Sequence, residues 1–504
     1  MVQLWKVACT LLLPCLNSNG EKMKHNTPNR NEYYFLTNPV VLPAAMMIYE
    51  SAADLPLVCP HGHVDPRLFS EEDYHFSNPV ELMVQSDHYV LRILHSQGVA
   101  YESLGVPVKG KLVEQDPLKI WQTFANYYYC FAATPTSVWI DDILVNVFGI
   151  EERLNGENAS AIYMAIQEQL DDPNFTPRKL YQRFNIAVLS TTDSPSDNLS
   201  LHRQIASSGW KGNILPTFRV DAILQIDRPD WRQEIDKLSM ASGINIIDFH
   251  SYIQALENRR AWFKQMGATA TDIAVVNAET LLLSVREMEE LFQKGLNSTI
   301  SFDEANRFVA GMLVELARMS AEDGLVMQMH VGSYRNHDID LFSNSGPDLG
   351  ADFPIPIEFT RPLQQLLCRF GNHPNFSLIL FTLDESAYAR ELAPLASYYP
   401  AVKLGAPWWF NDSFNGIQRF FDQVIDICGL YNTVGFNDDA RNFLTIPARH
   451  NQWRRASANW LAGLLVRHVI DEEAAQFMMK ALSCGLALKA YKLEDYAPEN
   501  ARIT

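Results

Sequence analysis

Eight short apolar runs recur along this chain, at residues 55–58, 186–190, 212–216, 273–276, 325–329, 376–381, 401–404 and 431–436. Each has the length of a strand buried on both faces, and beyond residue 183 they alternate with amphipathic stretches of helical character. Strands alternating with helices predict βαβ units and a parallel sheet. Eight such units predict an α/β fold closed as a (β/α)8 TIM-type barrel.

Between the first and second runs the pattern is helical instead. Asn78-Pro79-Val80-Glu81-Leu82 reads as a helix cap followed by proline in the first turn. Leu91, Leu94 and Gln97 continue that character, and residues 121–128 form another helical run. We therefore expect one barrel domain over residues 31–504, with a large helical insertion at about residues 69–183. No internal repeat or low-complexity linker argues for a second domain.

Composition narrows the function. The chain has 504 residues, 47% of them hydrophobic and 20% charged, which is a globular composition with ample core. Its formal net charge of −18 argues against a nucleic-acid or anionic-membrane surface, since such surfaces need clustered Lys and Arg. A few local arginines can still hold a small anion. The seven cysteines form no CxxC pair, which fits a reducing, cytoplasmic setting. Residues 7–16 follow Lys6 and resemble a short signal-peptide core, but Pro14 before Cys15 is wrong for lipoprotein cleavage and Met23 opens a polar segment. Residues 1–30 read as an extraneous leader or a misassigned start. No later segment approaches the roughly 20 apolar residues of a membrane span. A homo-oligomer is left open.

In such barrels the functional groups sit where strands end. The first run ends in Pro60-His61-Gly62-His63, and residues i and i+2 of an extended segment point the same way. His61 and His63 can thus present two imidazoles to one metal; the plainer reading is a polar turn with solvated histidines. The fifth run leads to His330 and the eighth to Asp439. His61, His63, His330 and Asp439 together form a single-metal constellation, for one divalent ion, zinc by ligand type or manganese. No lysine lies near the end of the fourth run, so no carbamylated lysine bridging two metals is expected there.

These strand-end blocks resemble those of the uronate (glucuronate) isomerase family of the amidohydrolase superfamily. The similar segments are Asp87-His88-Tyr89, Thr134-Pro135 through Trp139, Thr191-Thr192-Asp193, and Pro216-Thr217-Phe218-Arg219-Val220-Asp221. Further on come Gln328-Met329-His330-Val331-Gly332 with Arg335-Asn336, Trp408-Trp409-Phe410-Asn411-Asp412, and the block from Gly435 through Arg441 to Arg449-His450. They run in the family order over about residues 33–485. Three blocks depart from it: Thr271-Asp272-Ile273-Ala274, which lacks the family's histidine, Leu383-Asp384-Glu385, and the first motif, His61-Gly62-His63-Val64-Asp65-Pro66 in place of an HCHLSP-like string, so a divergent subgroup is expected.

The resemblance implies interconversion of a hexuronate aldose and its ketose by proton transfer through a cis-enediol. Such chemistry needs a base, a polarised carbonyl and a cationic clamp for the sugar's carboxylate. Asp439, Tyr89 and His88 are the catalytic candidates. Arg441, Arg219 and Arg335 are the clamp candidates, because the guanidinium grips a carboxylate bidentately; structural salt bridges are the plainer reading. Trp408 and Trp409 are candidates for a sugar-stacking face, against simple packing. His450 is read as a brace for the eighth strand. The alternative activity is a metal-dependent amidohydrolase acting on a carboxylate-bearing amide or lactone, which the same ligands would serve. A non-catalytic sugar-acid binder is the third reading.

Overall fold

The computed structural model describes Phe35 and residues 38–503 except Ser86; the expected leader at residues 1–30 lies outside the described residues. Ten strands occur among them: β1 Leu57–Cys59, β2 Ile186–Ser190, β3 Ile214–Leu215, β4 Phe218–Arg219, β5 Ala270–Val275, β6 Val326–Val331, β7 Ser333–Tyr334, β8 Phe353–Pro354, β9 Leu378–Thr382 and β10 Val402–Leu404. β7 and β8 form a small antiparallel hairpin. The others pair in parallel, in the orders β1-β2-β3 and β10-β9-β6-β5-β4.

The two arcs are one (β/α)8 barrel. β3 and β4 belong to a single third barrel strand, interrupted at Pro216, which has no N–H to offer a ladder. A parallel bridge from Asp193 to Phe218 carries β2 across that break. The eighth run forms no ladder strand. Leu430–Asn432 coils as a 3-10 turn, and Gly435 has φ +71° with Leu486 Cβ only 3.1 Å from where its own Cβ would stand. The run still reaches β10 through the bridge from Thr433 to Leu404. The ring closes where His63 N–H donates to the Ala440 carbonyl at 2.8 Å.

Period-two alternation divides the strands between two cores. Met327, Met329 and Val331 of β6 pack outward with the surrounding helices, while Val326 packs inside with Val58, Val188, Leu215 and Ile379. Leu488 and Tyr491 join that inner cluster from the C-terminal end of the chain.

Between β1 and β2 the described residues are helices and turns. His88–Ser96, Pro117–Asn126, Pro135–Asp142 and Pro177–Arg183 each start at an Asp or Thr whose side chain accepts a backbone N–H. Such caps stabilise by about 1 kcal/mol each. The expected cap at Asn78 does accept from Val80 and Glu81 N–H, but the segment it opens, Glu81–Gln85, winds as a π-helical turn. The segment packs through Phe69, Trp121, Phe124 and Ile143 in one buried cluster with Leu57, Cys59, Ile186 and Leu189 of β1 and β2. No described helix is long and apolar enough to cross a membrane.

Candidate active site

The same alternation that buries Val326 turns Gln328 and His330 into the barrel. In β5, Asp272 lies in register with Gln328 and is fully buried. The His330 Nδ1 lies 2.8 Å from Asp272 Oδ1, so the ring donates there and its Nε2 is left as an acceptor. That Nε2 is buried with no hydrogen-bond partner among the described residues. The His61 and His330 rings stack at 4.8 Å.

At the end of β1, His61 Nε2 and His63 Nε2 lie 3.5 and 3.2 Å from Asp439 Oδ1. The Thr192 hydroxyl donates to the Gly62 carbonyl at 2.6 Å, so it accepts from His63 Nδ1, 2.8 Å away. That fixes the His63 tautomer with a lone pair on Nε2, toward Asp439. Burial pushes the His61 imidazole down to about 4, so it is neutral at physiological pH. Burial alone would raise the Asp439 carboxyl, but the neighbouring His63 and His61 hold it well below the usual range. Asp272 is likewise raised by burial and more than compensated by Arg219, then by His61 and His330.

Ligand atoms of His61, His63 and Asp439 lie within 4.8 Å of one another. Asp439 Oδ1 is buried without a hydrogen-bond donor. The neutral His61 imidazole, the lone pair turned inward on His63 Nε2 and an unpartnered carboxylate oxygen fit a divalent cation. His330 belongs to a second group with His61 and Asp272. Of the four residues expected as one ligand set, His61, His63 and Asp439 group together, while His330 groups with His61 and a fifth residue, Asp272.

Above them lies a cavity lined by His63, Asp439, His88, Tyr89, Arg335 and Arg441, with Trp408 and Trp409 along its wall. His88 and Tyr89 open the helix capped by Asp87. The Tyr89 hydroxyl, raised by burial and then by Asp412, keeps its proton and donates it to Asp412 Oδ2 at 2.8 Å. Arg449 Nη1 holds the same oxygen at 3.2 Å. Burial, reinforced by Arg441, lowers His88 to about 3. His88 Nε2 and Trp409 Nε1 are buried and unpartnered among the described residues, which suits a ligand bearing several hydroxyls.

Arg441 Nη2 and Arg335 Nη1 lie 3.2 and 3.3 Å from the same oxygen, Asp348 Oδ1. Arg219 is placed differently. Its guanidinium is held by Asp221 at 2.7 Å and Asp272 at 3.0 Å, and it is not among the residues lining the cavity. Trp408 gives its indole N–H to Asp439 Oδ2 at 2.7 Å, so it orients the carboxylate as well as lining the cavity.

Asp272, Thr192, Asp412 and Arg449 are site residues that sequence reasoning did not single out. Asp412, Arg449 and Thr192 lie inside the family-like blocks. Asp272 was visible as a carboxylate beside an apolar run, but the expected strand began one residue after it.

Comparison with known proteins bears on what this cavity serves. The family model described as glucuronate isomerase matches residues 30–484. The chain belongs to the uronate isomerase family. It is 49% identical over 460 residues to the uronate isomerase of Nostoc punctiforme, covering 91% of this chain and 97% of that protein. The crystal structure of glucuronate isomerase from Caulobacter crescentus superposes with a TM-score of 0.90 at 41% identity, covering 94% of this chain and 98% of that one. The uronate isomerase of Thermotoga maritima gives a TM-score of 0.85 at 26% identity, covering 92% and 99%. The departures at residues 61–66, 271–274 and 383–385 are local ones in a family member matched nearly end to end.

Proposed function

We infer that this chain is an aldose–ketose isomerase acting on a hexuronate, D-glucuronate with D-fructuronate or D-galacturonate with D-tagaturonate. The observation that carries the reading is family membership over nearly the whole chain, joined to a cavity where an ionised carboxylate faces two arginines across neutral proton-carrying groups. The metal-dependent hydrolase shares the ligand set but is not favoured, because the relatives matched over the full length are isomerases.

We assign Arg441 and Arg335 to the sugar's carboxylate, with the Asp348 oxygen they share exchanged for the substrate's. That leaves C1 and C2 toward Asp439. The C2 proton leaves to Asp439 and is returned to C1, while the O2 proton passes to O1. Tyr89 and His88, both neutral, carry the hydroxyl protons, a role that typically contributes about 10²–10⁴-fold. His61, His63 and Asp439 would hold a divalent ion, zinc by its nitrogen and oxygen ligands or manganese. When bound, it supplies a Lewis acid for the oxygen on which negative charge develops. Arg219 orients Asp272, and through it His330.

The test is incubation of the protein with D-glucuronate and with D-galacturonate in deuterated water, followed by NMR. We expect ketose from at least one, with solvent deuterium at C1. Ketose without deuterium would point to a shielded proton or a hydride shift. Absence of ketose from a hexuronate panel, with turnover of an amide or lactone library, would transfer the reading to the hydrolase.

A further inference from the structure

Asp439 has φ +44°, in the left-handed region that disfavours residues bearing a side chain. Such a conformation persists only where its surroundings over-determine it. The backbone on both sides is held by side chains that the proposed chemistry does not use. Asn437 Oδ1 accepts from Asp439 N–H at 3.3 Å, and Asp438 Oδ1 accepts from Ala440 N–H at 3.1 Å. The Ala440 carbonyl in turn receives the His63 N–H that closes the barrel.

Asp438 is the centre of this arrangement. Its Oδ2 lies 3.2 Å from His450 Nε2, and its carbonyl accepts from Arg449 Nη1 at 3.3 Å. Asp438 and His450 are 3% and 1% exposed, a burial a carboxylate tolerates only when paired. On its far side the pair is packed, with Cys59 Sγ 3.8 Å from the same histidine nitrogen and the Phe436 ring edge-on to His450 at 4.8 Å. One carboxylate thus ties the strained turn through Oδ1 to a long, rigid helix, Ile446–Val466, through Oδ2.

We propose that the buried Asp438–His450 pair is a positioning device that locks the left-handed turn presenting Asp439 to the cavity. Asp438 borders the cavity beside Asp439, but both oxygens of its carboxylate are engaged, by Ala440 N–H and by His450, so in this proposal the pair acts by setting where the Asp439 carboxylate stands. The proposal rests on Asp439 being the proton-transfer group. A misplacement of about 1 Å can cost roughly 10²-fold in rate even from a residue away from the chemistry.

The variants are Asp438→Ala, Asp438→Asn, His450→Leu and His450→Gln. Asn keeps an acceptor for Ala440 N–H, and Gln keeps a donor for Asp438. kcat and KM on the accepted hexuronate are measured together with the thermal midpoint and with zinc content after equilibrium dialysis. For Asp438→Ala and His450→Leu we expect kcat to fall by about 10²-fold while KM moves much less, with weaker zinc retention. For Asp438→Asn and His450→Gln we expect most of kcat to return. Unchanged kcat in Asp438→Ala, or a rise in KM alone, overturns the proposal. So does a loss of kcat that follows the thermal midpoint across all four variants, or failure of the truncations to fold with fold and activity restored together. A wild-type protein inactive on every hexuronate, or an active Asp439→Asn, would instead sink the functional reading beneath it.

Discussion

The floor and the rim of the cavity are built on different principles. The floor is strand-borne: Asp272, Gln328 and His330 project from β5 and β6, and His61 and His63 follow β1 directly. The floor is braced from within the barrel, His330 by Asp272 at 2.8 Å and Gln328 by Tyr491, whose hydroxyl donates to Gln328 Oε1 at 3.0 Å. The rim is loop-borne. Arg335 and Asp348 lie around the β7–β8 hairpin, Arg441 follows the irregular eighth run, and His88 and Tyr89 come from the helical segment before β2. Arg335, Arg441 and Asp348 keep side-chain exposures of 35%, 33% and 38%, against 0% for Asp272. Strands hold charge where a metal and a proton must be placed closely; exposed loop arginines can exchange one carboxylate for another.

Substitution at Asp272 should give the largest effect of this contrast. Asp272→Asn keeps the shape but offers Arg219 and His330 a neutral amide. It should weaken metal retention or turnover by about 10–100-fold, measured by elemental analysis and kinetics. Unchanged metal content together with unchanged kcat would mean that the floor does not depend on this charge.

On the rim the effect should be smaller and should fall on binding. Arg441→Met should raise KM by roughly tenfold, about 1.5 kcal/mol for one charge-assisted contact, with kcat less affected. Arg441→Lys keeps the charge but loses the fork, and should recover only part of it. A fall in kcat with constant KM would move Arg441 from the rim's role to the floor's.

The weakest effect expected is on stability against pH. His88 and His202 are lowered by burial to about 3 and about 4, whereas an unfolded imidazole titrates near 6.5. Between those values the unfolded chain binds more protons, so their contribution is full above about pH 6.5 and is lost as pH falls toward 4 and below. The thermal midpoint should drop over that range, and less steeply in His88→Gln. A midpoint as high at pH 4.5 as at pH 7.5 would show that neither histidine is held neutral by the fold.

Much of the barrel was legible because its strands are short, apolar and separated by helices. Seven of the eight runs lie on ladder strands, although β5 starts three residues before the expected run, at Ala270, and β6 extends two residues beyond it, to Val331. The eighth failed as a ladder strand for a local reason, the 3-10 turn and the left-handed Gly435. The strand-one histidines were legible from spacing alone. Arg219 was harder, since a strand-end arginine reads alike whether it meets substrate or two neighbouring aspartates.

The sequence by itself determined the barrel class, the family and the residue types at the strand ends, because burial periodicity and motif order are one-dimensional properties. The tertiary structure alone decided how those residues are shared out. It grouped His61 with His63 and Asp439 on one side and with His330 and Asp272 on the other, turned Arg219 to Asp272, and tied Asp438 to His450 of a helix beside Asp439. Each of those outcomes depends on distances of about 3 Å between residues up to 378 positions apart, as between His61 and Asp439, and only the register of the closed barrel specifies such distances.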